Sequence, residues 1–328
     1  MSLTAVVGTG SWGTAVAAAL ARDGRPMLLW GRDAAKVAEL ATTRRHPQLA
    51  EHQLPTELAV TADPTALSAA DLVLWAVPTQ HTAAMAVRLA GALRPGTPVV
   101  SLAKGLEQGS LRRVSEVLGS ALGSRPYGAL SGPSHASEVL NGRPACLVVA
   151  GPDQLVALSV TRVHGRSFRC YTTTDLLGVE IAGALKNVIA IAAGICDGLR
   201  LGDNVKAAVI TRGVAEMRRL GRAMGAQDAT FAGMAGVGDL LTTCYSPLGR
   251  NRALGLAIGG GADPQQHLAG RATVAEGAWT ARAATELGRR HGVELPITSQ
   301  VASVIWAAKP VAQAMDELLS RAPKEEDA

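Results

Sequence analysis

Up to about residue 150, short apolar runs alternate with longer helical stretches, and beyond about 176 the runs stop. That switch leaves few architectures open. The runs lie at 3–7, 26–30, 72–77, 98–102, 127–130 and 145–150, with helical patterns at 11–22 and 33–44. A continuous apolar run suits a strand buried on both faces. Strands spaced by helices of ten or more residues pair in parallel through βαβ crossovers. After the switch the pattern is helical at roughly 178–196, 204–223, 252–260, 274–290 and 298–307. The expectation is an α/β chain with a mostly parallel sheet over 1–176 and an all-α domain over 177–328. Residues 323–328 read as a polar tail.

Composition excludes other classes. With 48% hydrophobic and 18% charged residues, the chain is too apolar for a disordered one. The net charge is +5, but the arginine pairs at 44–45, 112–113, 218–219 and 289–290 are scattered and aromatics make up only 3%. A nucleic-acid surface clusters its cations and interleaves them with aromatics. No nucleic-acid partner is expected; a small anionic ligand fits better. Cys146, Cys170, Cys196 and Cys244 match no metal-ligand spacing and are too sparse for a disulfide scaffold, so free thiols and no metal are expected. The first residues lack a basic stretch followed by an apolar one, and no apolar run reaches the ~18 residues of a membrane span. A cytoplasmic protein is expected. Glycine stands out, at 36 of 328 residues, where average usage is about 7%. Without a collagen-like period, such an excess points to backbone that turns sharply or approaches a neighbour closely.

Six residues give part of that glycine a purpose. Gly8, Thr9, Gly10, Ser11, Trp12 and Gly13 form G-x-G-x-x-G directly after a strand run and at the opening of a helix. Gly8 permits the tight turn, Gly10 leaves room for a pyrophosphate, and Gly13 lets helix and strand pack closely. The helix start offers free N–H groups and a positive dipole end. The fold expectation narrows to a Rossmann-like N-terminal domain. The second strand ends at Arg32 and Asp33, where a dinucleotide's adenosine ribose is read. Arg32 suits the 2′-phosphate of NADP(H), which is preferred, while Asp33 suits the free ribose of NAD(H) or simply caps the next helix.

Further candidates follow the strands. Lys104 lies just past the run at 98–102, where open parallel sheets bind ligands. Gly132 and Ser134 follow 127–130, with small residues that allow a ligand near the backbone; His135 is read as structural. Lys186 sits inside a helical stretch on a face of small residues, Val179, Ala182, Gly183, Ala190 and Ala193, with no carboxylate partner on its own helix. Such a lysine must meet a charge elsewhere or lose its proton readily, as a proton-transferring group does. Asp239 follows the Gly236–Gly238 pair, read as flexible. Arg250 and Asn251 at a helix start form a natural phosphate site.

Assembled in order, these stretches resemble the NAD(P)-dependent glycerol-3-phosphate dehydrogenase family of bacterial, biosynthetic type: GTGSWGTA, LLWGRD, AKGLE, SGPSHASEV, GVEIAGALKNVIAIAAGICDGL, ITRGVAEM, GMAGVGDLLTTC, GRNR and VAEG. The resemblance covers nearly the whole chain. It implies reversible reduction of dihydroxyacetone phosphate to sn-glycerol 3-phosphate for glycerophospholipid synthesis, by a homodimer. It implies that Ser11, Trp12, Arg32, Lys104, Ala136, Arg250, Val274 and Glu276 meet the cofactor. It places Lys104, Gly132, Ser134, Lys186, Asp239, Gly249, Arg250 and Asn251 around the substrate, with Lys186, Lys104 and Asp239 catalytic. Trp12 stands where Tyr or Phe is common, and Gly249 where Ser is common, so that Gly249 would act through its backbone alone. Two rivals are a β-hydroxyacid or ketopantoate-type dehydrogenase and a non-catalytic NADPH-binding sensor.

Overall fold

The computed structural model describes residues 2–49, 51–269, 275–323 and 325. They form two compact units, Met1–Ala103 with Val114–Leu176, and Lys104–Arg113 with Leu177–Ala328.

The first unit is built on one eight-stranded sheet in the order β3-β2-β1-β4-β5-β6-β7-β8. Its strands are β1 (Leu3–Val7), β2 (Met27–Trp30), β3 (Ala59–Thr61), β4 (Ala70–Trp75), β5 (Val99–Ser101), β6 (Tyr127–Ser131), β7 (Ala145–Ala150) and β8 (Phe168–Thr173). The helices are α1 (Ser11–Arg22), α2 (Ala34–Thr43), α3 (Thr79–Leu89), α4 (Val114–Leu122), α5 (Ala136–Leu140) and α6 (Asp153–Val163). Successive strand residues point to opposite faces, and both faces are covered. Val6, Leu72 and Leu74 pack with Val16 and Leu20 of α1 and Leu155 of α6. Ala5, Val7, Val73 and Trp75 pack with Met85 and Leu89 of α3 and Leu118 of α4.

Six strands run parallel, but β7 is antiparallel to β6, with Leu130 opposite Val149, and β8 follows β7 in parallel. The apolar run at 145–150 therefore joins the sheet in the opposite sense to the strands before it. β3 and β8 carry no continuous apolar run. They are the sheet edges, where β8 buries Phe168 and exposes Arg169 and Tyr171.

The second unit is helical: α7 (Leu176–Gly198), α8 (Gly202–Ala223), α9 (Asp228–Ala232), α10 (Asp239–Tyr245), α11 (Arg250–Gly259), α12 (Pro264–Ala269), α13 (Glu276–Arg290), α14 (Pro296–Trp306) and α15 (Val311–Leu319). By length and mean hydropathy α7 could cross a membrane, although Glu180 and Lys186 interrupt its apolar run, and 83% of its most apolar stretch is buried inside the protein. It is a core helix, and that burial explains its composition. Glycine sets its closest contact. A Cβ at Gly198 would lie 2.5 Å from the Leu256 carbonyl oxygen, one at Gly259 would lie 2.5 Å from that of Ile195, and at Gly194 and Gly255 it would overlap Arg252 and Ile191 outright. The glycines at 194 and 198 on α7 thus mesh with those at 255 and 259 on α11, backbone against backbone. Glu216 of α8 ties down α14. Its buried carboxylate accepts from the N–H groups of Ile297 and Thr298, at 2.5 and 3.1 Å, and from the Thr298 hydroxyl. These satisfy N–H groups that a helix start leaves open.

The segment 104–113 clusters with the helical unit although the sequence pattern left it in the first half. Arg113 donates to the buried Glu180 of α7 at 3.0 Å, and the Asn187 amide donates to the Lys104 carbonyl at 2.9 Å.

Candidate functional site

In the first unit, the order of strands reverses between β1 and β4, the place where open α/β sheets bind ligands. The Gly8–Gly13 turn leaves β1 there. Gly8 has φ +117°, and a Cβ on it would come 2.9 Å from the Ala76 carbonyl oxygen just beyond β4. At Gly13 a Cβ would overlap Gly8 and press on Ala76, so the helix lies close on the turn. Gly10 differs. It precedes α1 with φ −71°, no side chain caps the helix, and a Cβ would meet nothing within 4 Å. No protein atom crowds Gly10 at the uncapped start of α1, which fits the approach of a dinucleotide pyrophosphate.

Arg32 is exposed at the end of β2. Asp33 beside it caps α2: its carboxylate accepts from the Lys36 N–H at 3.2 Å, which holds its pKa below the usual carboxylate value. Trp12 packs edge-on against Phe168, ring centroids 6.3 Å apart. Ala136 opens α5, and the Ser134 hydroxyl donates to the Gly132 carbonyl at 3.0 Å. Gly132 has its own reason to be glycine, with φ +134° and the Cys146 carbonyl 2.7 Å from where a Cβ would sit. Two residues that contact the Gly8–Gly13 turn escaped the sequence reading. The His46 ring meets the Thr9 carbonyl at 3.0 Å, and the Ser11 hydroxyl donates to Gln48. Burial lowers the His46 pKa.

In the second unit, three expected residues converge. Lys186 is 5% exposed. Its ammonium donates to Asp239 Oδ1 and to the Thr243 hydroxyl, each at 2.6 Å. Lys104 donates to Asp239 Oδ2 at 2.7 Å. One carboxylate therefore bridges two ammonium groups. Burial pushes the Asp239 carboxyl up, but the charges of Lys104 and Lys186 outweigh it, and its pKa lies below the usual carboxylate value. Lys186 moves the other way. Burial, reinforced by the Lys104 charge, brings it down to about 8 against the support of Asp239.

The glycines before Asp239 are not a flexible pair. Met234–Gly238 is a hydrogen-bonded π-helical turn, and Gly236 lies so close to Phe231 that a Cβ would overlap its carbonyl oxygen. Rigid backbone leads into α10 and aims Asp239 at the lysines. A relay of amides joins the neighbouring helices. Asn251 of α11 donates to Asn187 Oδ1 at 2.9 Å and accepts from the Gly277 N–H at 3.0 Å. Gly249 sits just before α11, and Arg250, the first residue of that helix, is exposed. Glu276 opens α13, while Val274 lies outside the described residues. Thr243 and Asn187 were not expected. The only sequence signal for them was their spacing, Thr243 four residues after Asp239 and Asn187 beside Lys186. Among the described residues no group of three or more His, Cys, Asp or Glu is placed to hold a metal.

A dinucleotide-type turn on a doubly wound sheet, with a readily deprotonated buried lysine in the same chain, defines the class: a nicotinamide-linked oxidoreductase. Comparison with known proteins gives the particular branch. Residues 4–157 match the model for the NAD-dependent glycerol-3-phosphate dehydrogenase N-terminus, and residues 175–316 match that for its C-terminus. Glycerol-3-phosphate dehydrogenase [NAD(P)+] 2 of Salinibacter ruber is 46% identical, covering 97% of this chain and 94% of the relative. The Streptomyces coelicolor enzyme is 44% identical over 98% and 97%. The crystal structure of glycerol-3-phosphate dehydrogenase from Coxiella burnetii matches with a TM-score of 0.93 at 36% identity, covering 98% of this chain and 99% of that one. A ketopantoate reductase from Ralstonia eutropha, 20% identical with a TM-score of 0.64, shares the fold over 97% of this chain and 99% of its own. The chain belongs to the NAD-dependent glycerol-3-phosphate dehydrogenase family.

Proposed function

We propose that the protein reduces dihydroxyacetone phosphate to sn-glycerol 3-phosphate, reversibly, with NADPH preferred and NADH accepted. The observation that carries this reading is the buried Lys186, held by Asp239 and Thr243 and brought down to about 8. A group with a pKa near the working pH is suited to proton transfer.

A nicotinamide cofactor held at the Gly8–Gly13 turn would supply the hydride for C2 of the substrate. The chain's residues supply the rest. Lys186 gives its proton to the oxygen on C2 as the carbonyl becomes an alcohol, and takes it back in the reverse direction. Asp239 keeps Lys186 aimed and keeps it charged. Lys104 steadies the negative charge that develops on the oxygen. Arg250, Asn251 and the backbone at Gly249 hold the phosphate, with Gly132 and Ser134 along the substrate. Gly8, Gly10, Ser11, Trp12 and Gly13 receive the pyrophosphate end of the cofactor. The family resemblance adds Ala136, Val274 and Glu276 to the residues that meet the cofactor. Residues 1–176 thus serve as the NAD(P)-binding domain and 177–328 as the domain for substrate and catalysis, with the 104–113 segment joining the latter.

The preference for NADPH rests on Arg32, exposed beside an Asp33 whose carboxylate is already engaged as a helix cap. A cytoplasmic homodimer supplying the glycerol phosphate backbone of phospholipids completes the proposal.

Oxidation of NADPH in the presence of dihydroxyacetone phosphate tests it. Lys186→Met should lower kcat by about 10²–10⁴-fold, the usual worth of a positioned acid. A variant with near wild-type kcat contradicts the assignment.

A further inference from the structure

A second charged cluster stands beyond Lys186, and the proposed chemistry does not use it. Lys206, near the start of α8, has a side chain only 6% exposed. Its ammonium donates to both oxygens of Asp197, at 2.9 and 3.0 Å. Asp197 is the penultimate residue of α7, the helix that carries Lys186. The same carboxylate accepts from the Arg252 guanidinium at 2.7 Å. Arg252 lies in the first turn of α11, two residues past Arg250. The Lys206 ammonium also lies 4.5 Å from the ring centroid of Tyr245, the last residue of α10. One lysine therefore ties together the three helices that carry Lys186, Asp239 and Arg250. Cys244, next to Tyr245 on α10, is buried, and that burial pushes its thiol pKa up to about 12 against the nearby charges of Lys186 and Lys206.

We propose that Lys206 and Asp197 are positioning residues for the phosphate end of the substrate, acting through Arg252 on the first turn of α11. The proposal rests on the reading that Arg250 and Asn251 hold the phosphate. Arg252 is the side chain of that turn whose fork is held, and it is held by a carboxylate that Lys206 anchors. Without Lys206, Asp197 and Arg252 are left as a half-buried pair with one fewer partner, and the turn bearing Arg250 loses its fixed position. The reacting end is held separately. Lys186 lies eleven residues, or about 16 Å, up α7 from Asp197, fixed by Asp239 and Thr243. The phosphate is gripped alike in ground and transition state, so a loosened grip raises KM and spares kcat.

The test compares Lys206→Met and Asp197→Asn with the wild type on dihydroxyacetone phosphate and on phosphate-free dihydroxyacetone. We expect KM for dihydroxyacetone phosphate to rise tenfold or more in both variants. We expect kcat to stay within threefold and kcat/KM for dihydroxyacetone to stay within twofold. Unchanged KM for dihydroxyacetone phosphate in both variants overturns the proposal. So does a parallel loss on both substrates, the mark of a purely structural role. If Lys206→Met does not melt cooperatively, Asp197→Asn decides alone, since it keeps the side chain's shape. Arg250→Ala run alongside separates the two readings: an unchanged KM there removes the phosphate assignment itself.

Discussion

A methyl group at Gly10 would meet nothing within 4 Å, whereas one at Gly255 would overlap the carbonyl oxygen of Ile191. One glycine precedes α1 and the other lies on α11, and they differ in what surrounds them. After β1 the position is uncrowded, and the proposed function has a cofactor pyrophosphate approach it. Along α7 and α11 the missing side chain lets two backbones touch, and that contact fixes Lys186, Asn187 and Asn251 relative to one another. Part of the glycine therefore serves two different ends, a proposed cradle in the first unit and a seam in the second.

Substitutions can break this contrast. The largest effect is expected at the seam. Gly255→Ala has no room, and forcing a methyl into well-packed surroundings costs about 1–3 kcal/mol or more. Denaturant unfolding should show a loss at the upper end of that range, with NADPH affinity reduced only through loss of folded protein. Next comes Gly10→Ala. Its φ of −71° suits alanine, so stability should stay within about 0.5 kcal/mol. NADPH binding followed by fluorescence should weaken about tenfold or more, a change of about 1.4 kcal/mol. Reversed results, with Gly10→Ala unstable and Gly255→Ala neutral, would dissolve the distinction. Arg32→Ala sharpens the cradle side: it should erode the preference for NADPH over NADH while leaving kcat with saturating cofactor unchanged.

What was legible in the sequence follows from burial. β1, β4 and β7 are buried on both faces, so each is an apolar run. β3 and β8 are edges and half exposed, so their residues alternate too little to mark a strand. The sense of β7 was hidden because an apolar run does not record its direction. Lys186 was visible because a lysine among small residues is an anomaly that needs a partner. The identity of that partner required the fold, since Asp239 and Thr243 lie 53 and 57 residues away. The allegiance of 104–113 was likewise hidden, because it depends on Arg113 reaching Glu180 and Asn187 reaching the Lys104 backbone. His46 and Gln48 lie in a stretch with no periodicity, and only their contacts with Thr9 and Ser11 single them out.

A separate effect, read as the position of a pH limb, concerns Asp239. Its charge supports the protonated form of Lys186 against burial. In Asp239→Asn that support is gone, so the lysine pKa should fall further below about 8. The alkaline limb of the reduction rate should then move to lower pH, apart from any drop in its height. A limb that stays in place would mean that Asp239 does not hold the proton on Lys186.

The most direct test of the account is the pH dependence of single-turnover reduction of dihydroxyacetone phosphate by the wild-type protein. Reduction needs protonated Lys186, which predominates below its pKa. The rate should be level at lower pH and fall about tenfold per unit above about 8, while the reverse oxidation should rise through the same point. A reduction rate that stays level to pH 10 would show that Lys186 is not the acid.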